Sequence, residues 1–77
     1  MINTLKIDTN KTIEYMNDLR DIINMLQAEI NTCNNENEKN QLKSTLLLHS
    51  AKLNSVETIL IMNGYTAEYI NETYIIY

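Results

Sequence analysis

The chain has 77 residues and a formal net charge of −4, with six Lys and Arg set against ten Asp and Glu. A domain this short buries only about 60% of the surface its unfolded form exposes, so its core is marginal and association with a partner or a second copy is the expected supplement. One cysteine, one histidine and one glycine exclude an internal disulfide and argue against a four-ligand zinc site and a glycine-rich phosphate loop, so no metal and no cofactor is expected.

The basic residues are scattered in an acidic chain, which argues against direct nucleic-acid binding, since phosphate recognition needs clustered Lys and Arg. No run approaches the roughly 20 apolar residues that span a bilayer, and Met1 to Asp8 lacks the pattern of a secretion signal. A cytoplasmic location without membrane contact is therefore expected. Abundant Asn, Ile, Lys and Tyr beside absent Pro, Trp and Phe match AT-rich coding, as in a low-GC bacterium or its phage.

In the first half, Ile2, Thr9, Met16, Ile23 and Ile30 recur every seventh residue, and Leu5, Thr12, Leu19, Leu26 and Cys33 follow each by three. These are the a and d positions of a heptad, which place one apolar seam along a helix predicted over about 9–33. Asparagine keeps the same beat at Asn3, Asn10, Asn17, Asn24 and Asn31, one step off the seam. That column reads as filler on a solvated face, where packing constrains residue choice little. Glu14, Asp18 and Asp21 form a short acidic stripe on the same outer side.

A polar connection is expected over about 34–38, within "NTCNNENEKN", and a second helix over about 39–63. Its seam runs through Leu42, Leu46, His49, Leu53, Val56, Leu60 and Asn63. Folding the chain at the connection sets Ile30 against Leu42, Leu26 against Leu46, Ile23 against His49, Leu19 against Leu53, Met16 against Val56 and Thr12 against Leu60. One antiparallel helical hairpin satisfies every pair, with arms on the order of 40 Å. Thr9, Thr12, His49 and Asn63 are polar seam positions that help to fix register.

After Gly64, the only glycine and the expected end of the second helix, "YTAEYINETYIIY" is rich in strand-favouring residues. It predicts a short β-hairpin turning at Asn71 and Glu72, the alternative being a third helix capped by Thr66. The fold class is thus mainly α: a two-helix coiled-coil hairpin with a C-terminal β-hairpin or third helix, forming one small domain.

Two helices hide one stripe each, and more apolar surface remains than they can cover. Ile13, Tyr15, Ile22 and Met25 flank the first seam; Leu47, Leu48, Ile59, Ile61 and Met62 flank the second. Contiguous apolar surface marks an interface. The expected interaction surface is Ile13, Tyr15, Ile22, Met25, Leu47, Leu48, Ile59 and Met62 with Tyr65 and Tyr69, and the expected assembly is a homodimer of four helices.

No catalytic constellation is legible. His49 has no second histidine or suitable cysteine to work with, and nothing adjacent in sequence activates Cys33. At "HSAKLNSVETIL" the second helix resembles, over five residues, the Ser-Gln-Glu-Leu-Asp motif of the helical-hairpin aspartyl-phosphate phosphatases of sporulation control. Ser50 and Leu53 match, while Asn54 stands at the family's acidic position and removes its carboxylate.

The leading functional expectation is a non-enzymatic protein-interaction module, a phage or mobile-element regulator that blocks a host defence or transcription protein. The first alternative is an acidic nucleic-acid mimic that presents Glu14, Asp18 and Asp21, with Glu29, Glu36 and Glu38, to a basic groove. The second, implied by the resemblance, is a phosphatase-like regulator.

Overall fold

The computed structural model describes residues 7–77. Seam positions Ile2 and Leu5, with Asn3, lie outside the described residues. The elements are α1 (Thr9–Thr32), α2 (Glu36–Met62), β1 (Ala67–Ile70) and β2 (Thr73–Ile76). The two helices pack side by side along the predicted seam, and the C-terminal segment is a two-stranded antiparallel ribbon, not a third helix.

Three of the four helix ends have a local chemical cause. Asp8 caps α1: its Oδ1 accepts from the Lys11 N–H at 3.1 Å, satisfying one of the donors that a helix start leaves free. Asn35 caps α2 in the same way, accepting from the Glu38 N–H at 3.1 Å, with Glu36 and Glu38 favourably placed in the positive first turn. Because of that cap α2 begins at Glu36, ahead of its expected start, and the connection shrinks to residues 33–35.

At the other end of α2, Gly64 has φ +83°, the Gly64 N–H donates to Ile61 O at 3.0 Å and the Tyr65 N–H donates to Leu60 O at 2.9 Å. This pair of bonds is the Schellman motif, which needs a left-handed residue where glycine stands. It turns the chain so that Tyr65 packs against the core cluster containing Leu60.

The core is one seam closed at one end by the ribbon. Met16, Leu19 and Ile23 from α1, Leu53 and Leu60 from α2, and Tyr74 from β2 form a single buried cluster, with Leu46, Val56, Ala67 and Ile76 packed on its margin. Leu26 is buried outside that cluster, and Ile30 and Leu42 near the connection are only half-buried. The hairpin is therefore best packed away from its connection, where the ribbon lies.

β1 and β2 pair Ala67 with Ile76, Glu68 with Ile75, Tyr69 with Tyr74 and Ile70 with Thr73, and Thr66 and Tyr77 exchange both backbone bonds at the base. The turn is Asn71–Glu72, both left-handed at φ 53° and 65°, which is the two-residue geometry matched to strand twist. Asparagine tolerates that region, whereas a glutamate there costs about 1–2 kcal/mol. Glu72→Gly is accordingly expected to stabilise the chain by about 0.5–1 kcal/mol in chemical denaturation, the gain being trimmed by glycine's larger entropy loss. A lower denaturation midpoint would contradict this turn.

At the ribbon's base the Tyr77 hydroxyl donates to Glu68 Oε1. That bond, with smaller contributions from desolvation and the carboxylate's charge, raises the Tyr77 pKa above the ordinary phenol value. Whatever the contact adds is present below the phenol's unfolded pKa of about 10 and is lost as pH rises through the raised folded value.

Candidate functional site

An isolated two-stranded ribbon is marginal in water, so its attachment to the helices decides which helical surface is covered. α1 holds β2 with two side chains. Asn17 uses both ends of its amide: Oδ1 accepts from the Tyr74 N–H at 2.9 Å, and Nδ2 donates to Thr73 Oγ1 at 3.0 Å. The Tyr74 N–H points away from β1 in this register, so Asn17 supplies the partner that a further strand would otherwise give.

One turn further on, Arg20 donates to the Tyr74 hydroxyl from Nη2 at 2.7 Å and from Nε at 3.2 Å. Its guanidinium carbon lies 5.0 Å from the ring centroid of Tyr69 and 5.7 Å from that of Tyr74. The two rings are themselves 4.9 Å apart, tilted by 51°. Arg20 thus works as a cation over aromatic faces and a donor to one hydroxyl, an arrangement that fixes the ribbon's position.

This corrects the reading of the asparagine column. Asn10, Asn24 and Asn31 are solvated as expected, but Asn17 is half-buried and structural. Neither Asn17 nor Arg20 is distinguishable from surface residues in the sequence, because their partners are more than fifty residues away. Their three-residue spacing is the sole signal, and it becomes legible only once Tyr74 is placed.

Seen across the α1 seam, Ile13, Asn17 and Arg20 lie on one flank, and Tyr15 and Ile22 on the other. The ribbon occupies the first flank. On α2, Leu48 and Ile59 share one flank, and Leu47 and Ile61 the opposite one. Tyr15 and Ile59 line the same hollow of about 380 Å³, together with Ile7, Lys11, Val56 and Leu60, so the Tyr15–Ile22 and Leu48–Ile59 flanks face the same way. Among the described residues the helical layer therefore has a ribbon side and an open side.

The expected interaction residues sort accordingly. Tyr15, Met25, Leu47, Leu48, Ile59, Met62 and Tyr69 are exposed, from 37% for Tyr69 to 79% for Met62. Ile13 and Tyr65 are half-buried against the core cluster, so much of their surface is already used, and Ile22 is half-buried. Tyr69 stands over Arg20 on the ribbon, away from the open side. By helical position Tyr15, Ile22, Leu48 and Ile59 lie on the open side, with the exposed Met25 and Met62 further round on the same side.

The other chemically notable residues are accounted for locally. His49 Nδ1 lies 2.8 Å from Thr45 O, a back-bond within its own helix, and Cys33 Sγ approaches Asn35 O at 3.3 Å. Leu53 is core, and Asn54 is exposed with an amide in place of the phosphatase motif's carboxylate. Among the described residues no group of three or more His, Cys, Asp or Glu is placed to hold a metal ion, and no helix is long and apolar enough to cross a membrane. No protein-family model, curated protein or solved structure matches this chain, so its geometry alone carries the functional reading.

Proposed function

We propose that this chain is a non-enzymatic protein-interaction module that dimerises through its open side into a four-helix arrangement and acts by occupying a site on another protein. The observation that carries the proposal is the asymmetry of the helical layer: one flank is covered by the ribbon through Asn17, Arg20 and Tyr74, while the other leaves Tyr15, Ile22, Leu48 and Ile59 together. Apolar surface gathered on one face is the usual mark of a protein interface. A small, acidic, AT-biased chain of this kind suits a phage or mobile-element regulator that inhibits a host defence or transcription protein.

The test is affinity capture of the tagged chain and of its Leu48→Asp variant from a low-GC bacterial lysate, at low and high salt. A stoichiometric partner that persists in high salt and is lost with Leu48→Asp, which breaks the dimer that presents the binding surface, is the expected result. Apolar contacts tolerate salt, whereas a nucleic-acid mimic presenting Glu14, Asp18 and Asp21 would lose its partner as salt screens those charges. Salt-labile capture unaffected by Leu48→Asp would overturn the reading in favour of mimicry.

A further inference from the structure

We infer that the open side is an isologous interface on which a second copy sits antiparallel, with Ile22 and Leu48 of each copy filling the hollow of the other. The inference rests on the self-association part of the proposed function and specifies its geometry.

The chain exposes 5841 Å². A compact monomer of its 9.0 kDa mass exposes roughly 4,850 Å². The excess, on the order of 1,000 Å² spread over the whole elongated chain, is large enough to contain the ~800 Å² that each partner contributes to a standard stable interface. The shape agrees, since the chain measures 54 × 29 × 15 Å with a radius of gyration of 15.2 Å, where a compact chain of this length would have about 11.5 Å. A slab this thin is one layer of a two-layer assembly.

In the hairpin, the seam pairing sets Ile59 level with Ile13 and Leu48 level with Asn24. A twofold axis that lies in the interface across the helices stacks α1 on the partner's α1 and α2 on the partner's α2, each antiparallel. Let it cross α1 between Asp18 and Leu19, so that Tyr15 lies over the partner's Ile22. The same axis then crosses α2 between Leu53 and Asn54, and with no further adjustment Ile59 lies over the partner's Leu48. Two independent apolar pairs, one on each helix, are satisfied by a single axis.

Shape follows the same operator. Tyr15 and Ile59 line the hollow of about 380 Å³ near one end of the open side. Ile22 and the exposed Leu48 stand within two residues of the same level, near its middle. The axis lies between the two levels, so each copy's raised pair is carried onto the other's hollow. Beside the axis the two Asp18 carboxylates approach one another across α1, and Lys52 of each copy on the neighbouring helix supplies the positive charge that offsets them.

The test uses the full chain with Cys33→Ser and two added cysteines, either Tyr15→Cys with Ile22→Cys or Leu48→Cys with Ile59→Cys. Sites seven or eleven residues apart on one helix are about 10 or 16 Å apart, too far for an internal disulfide. Sedimentation before oxidation is expected to give dimers, and mild oxidation is expected to convert most of each double variant to a covalent dimer, while the four single variants stay uncrosslinked. Dimers that fail to crosslink in both double variants, or that crosslink through a single variant, would overturn this register and leave self-association standing. A monomer by sedimentation for both the Cys33→Ser chain and the unsubstituted chain would overturn the self-association itself.

Discussion

Leu19→Asp is expected to abolish the cooperative thermal transition of the chain, and His49→Leu to leave it in place or raise its midpoint. Leu19 is 5% exposed and belongs to the cluster formed with Met16, Ile23, Leu53, Leu60 and Tyr74. A carboxylate there has no cationic partner, and leaving a buried charge unpaired costs several kcal/mol even after local relaxation. Total stability for 77 residues is about 4 to 12 kcal/mol at the usual per-residue range, so that one change consumes most of it.

His49 lies on the same seam but is half-buried, and its ring bonds only to Thr45 O, one turn back in its own helix. Replacing it with leucine removes a local bond and adds apolar surface to a seam whose neighbours are leucines, a balance near zero or slightly favourable. Circular dichroism melts of the two variants compare the positions directly. Two variants that melted alike would remove the seam assignment for one or both residues.

The helical hairpin was legible because its signal is periodic. Met16, Leu19, Ile23, Leu26, Leu53 and Leu60 recur at heptad spacing, and all are buried. The β-hairpin and its turn were legible from local residue types: strand formers on either side of an Asn-Glu pair, after a glycine that ends a helix. The start of α2 was misplaced because "NNENEKN" looks uniformly polar, although Asn35 followed three residues later by Glu38 is a helix-start signal. What stayed hidden is tertiary. The role of Asn17 and Arg20 depends on where the ribbon docks, and no periodicity in α1 encodes the position of Tyr74. For the same reason flanking apolar residues are legible one helix at a time, but which flank the ribbon covers is not.

Tyr74→Ala is expected to cost about 3–5 kcal/mol, in line with other truncations of large buried aromatic residues. The ring is 3% exposed and is the ribbon's one buried contribution to the core cluster. Its loss also strands two guanidinium donors of Arg20 and breaks the contact with Tyr69 at 4.9 Å. Tyr74→Phe keeps the ring and removes only the hydroxyl acceptor, so it is expected to cost about 1.5–3 kcal/mol, the range for a hydrogen bond to a charged group. Arg20 is half-buried and can turn toward water, which places the cost toward the lower end. The two variants separate packing from polar docking, and near-ultraviolet dichroism of the tyrosines reports the ribbon while far-ultraviolet dichroism reports the helices. If Tyr74→Ala loses the tyrosine signal at a lower denaturant concentration than the helical signal, the ribbon detaches before the hairpin unfolds, and the flank bearing Ile13, Asn17 and Arg20 opens to solvent. If both signals vanish together, the ribbon and the seam are one cooperative unit, as their shared cluster leads one to expect. A variant that melted like the parent would mean that Tyr74 does not hold the ribbon to α1, and the division of the helical layer into a covered and an open side would fall with it.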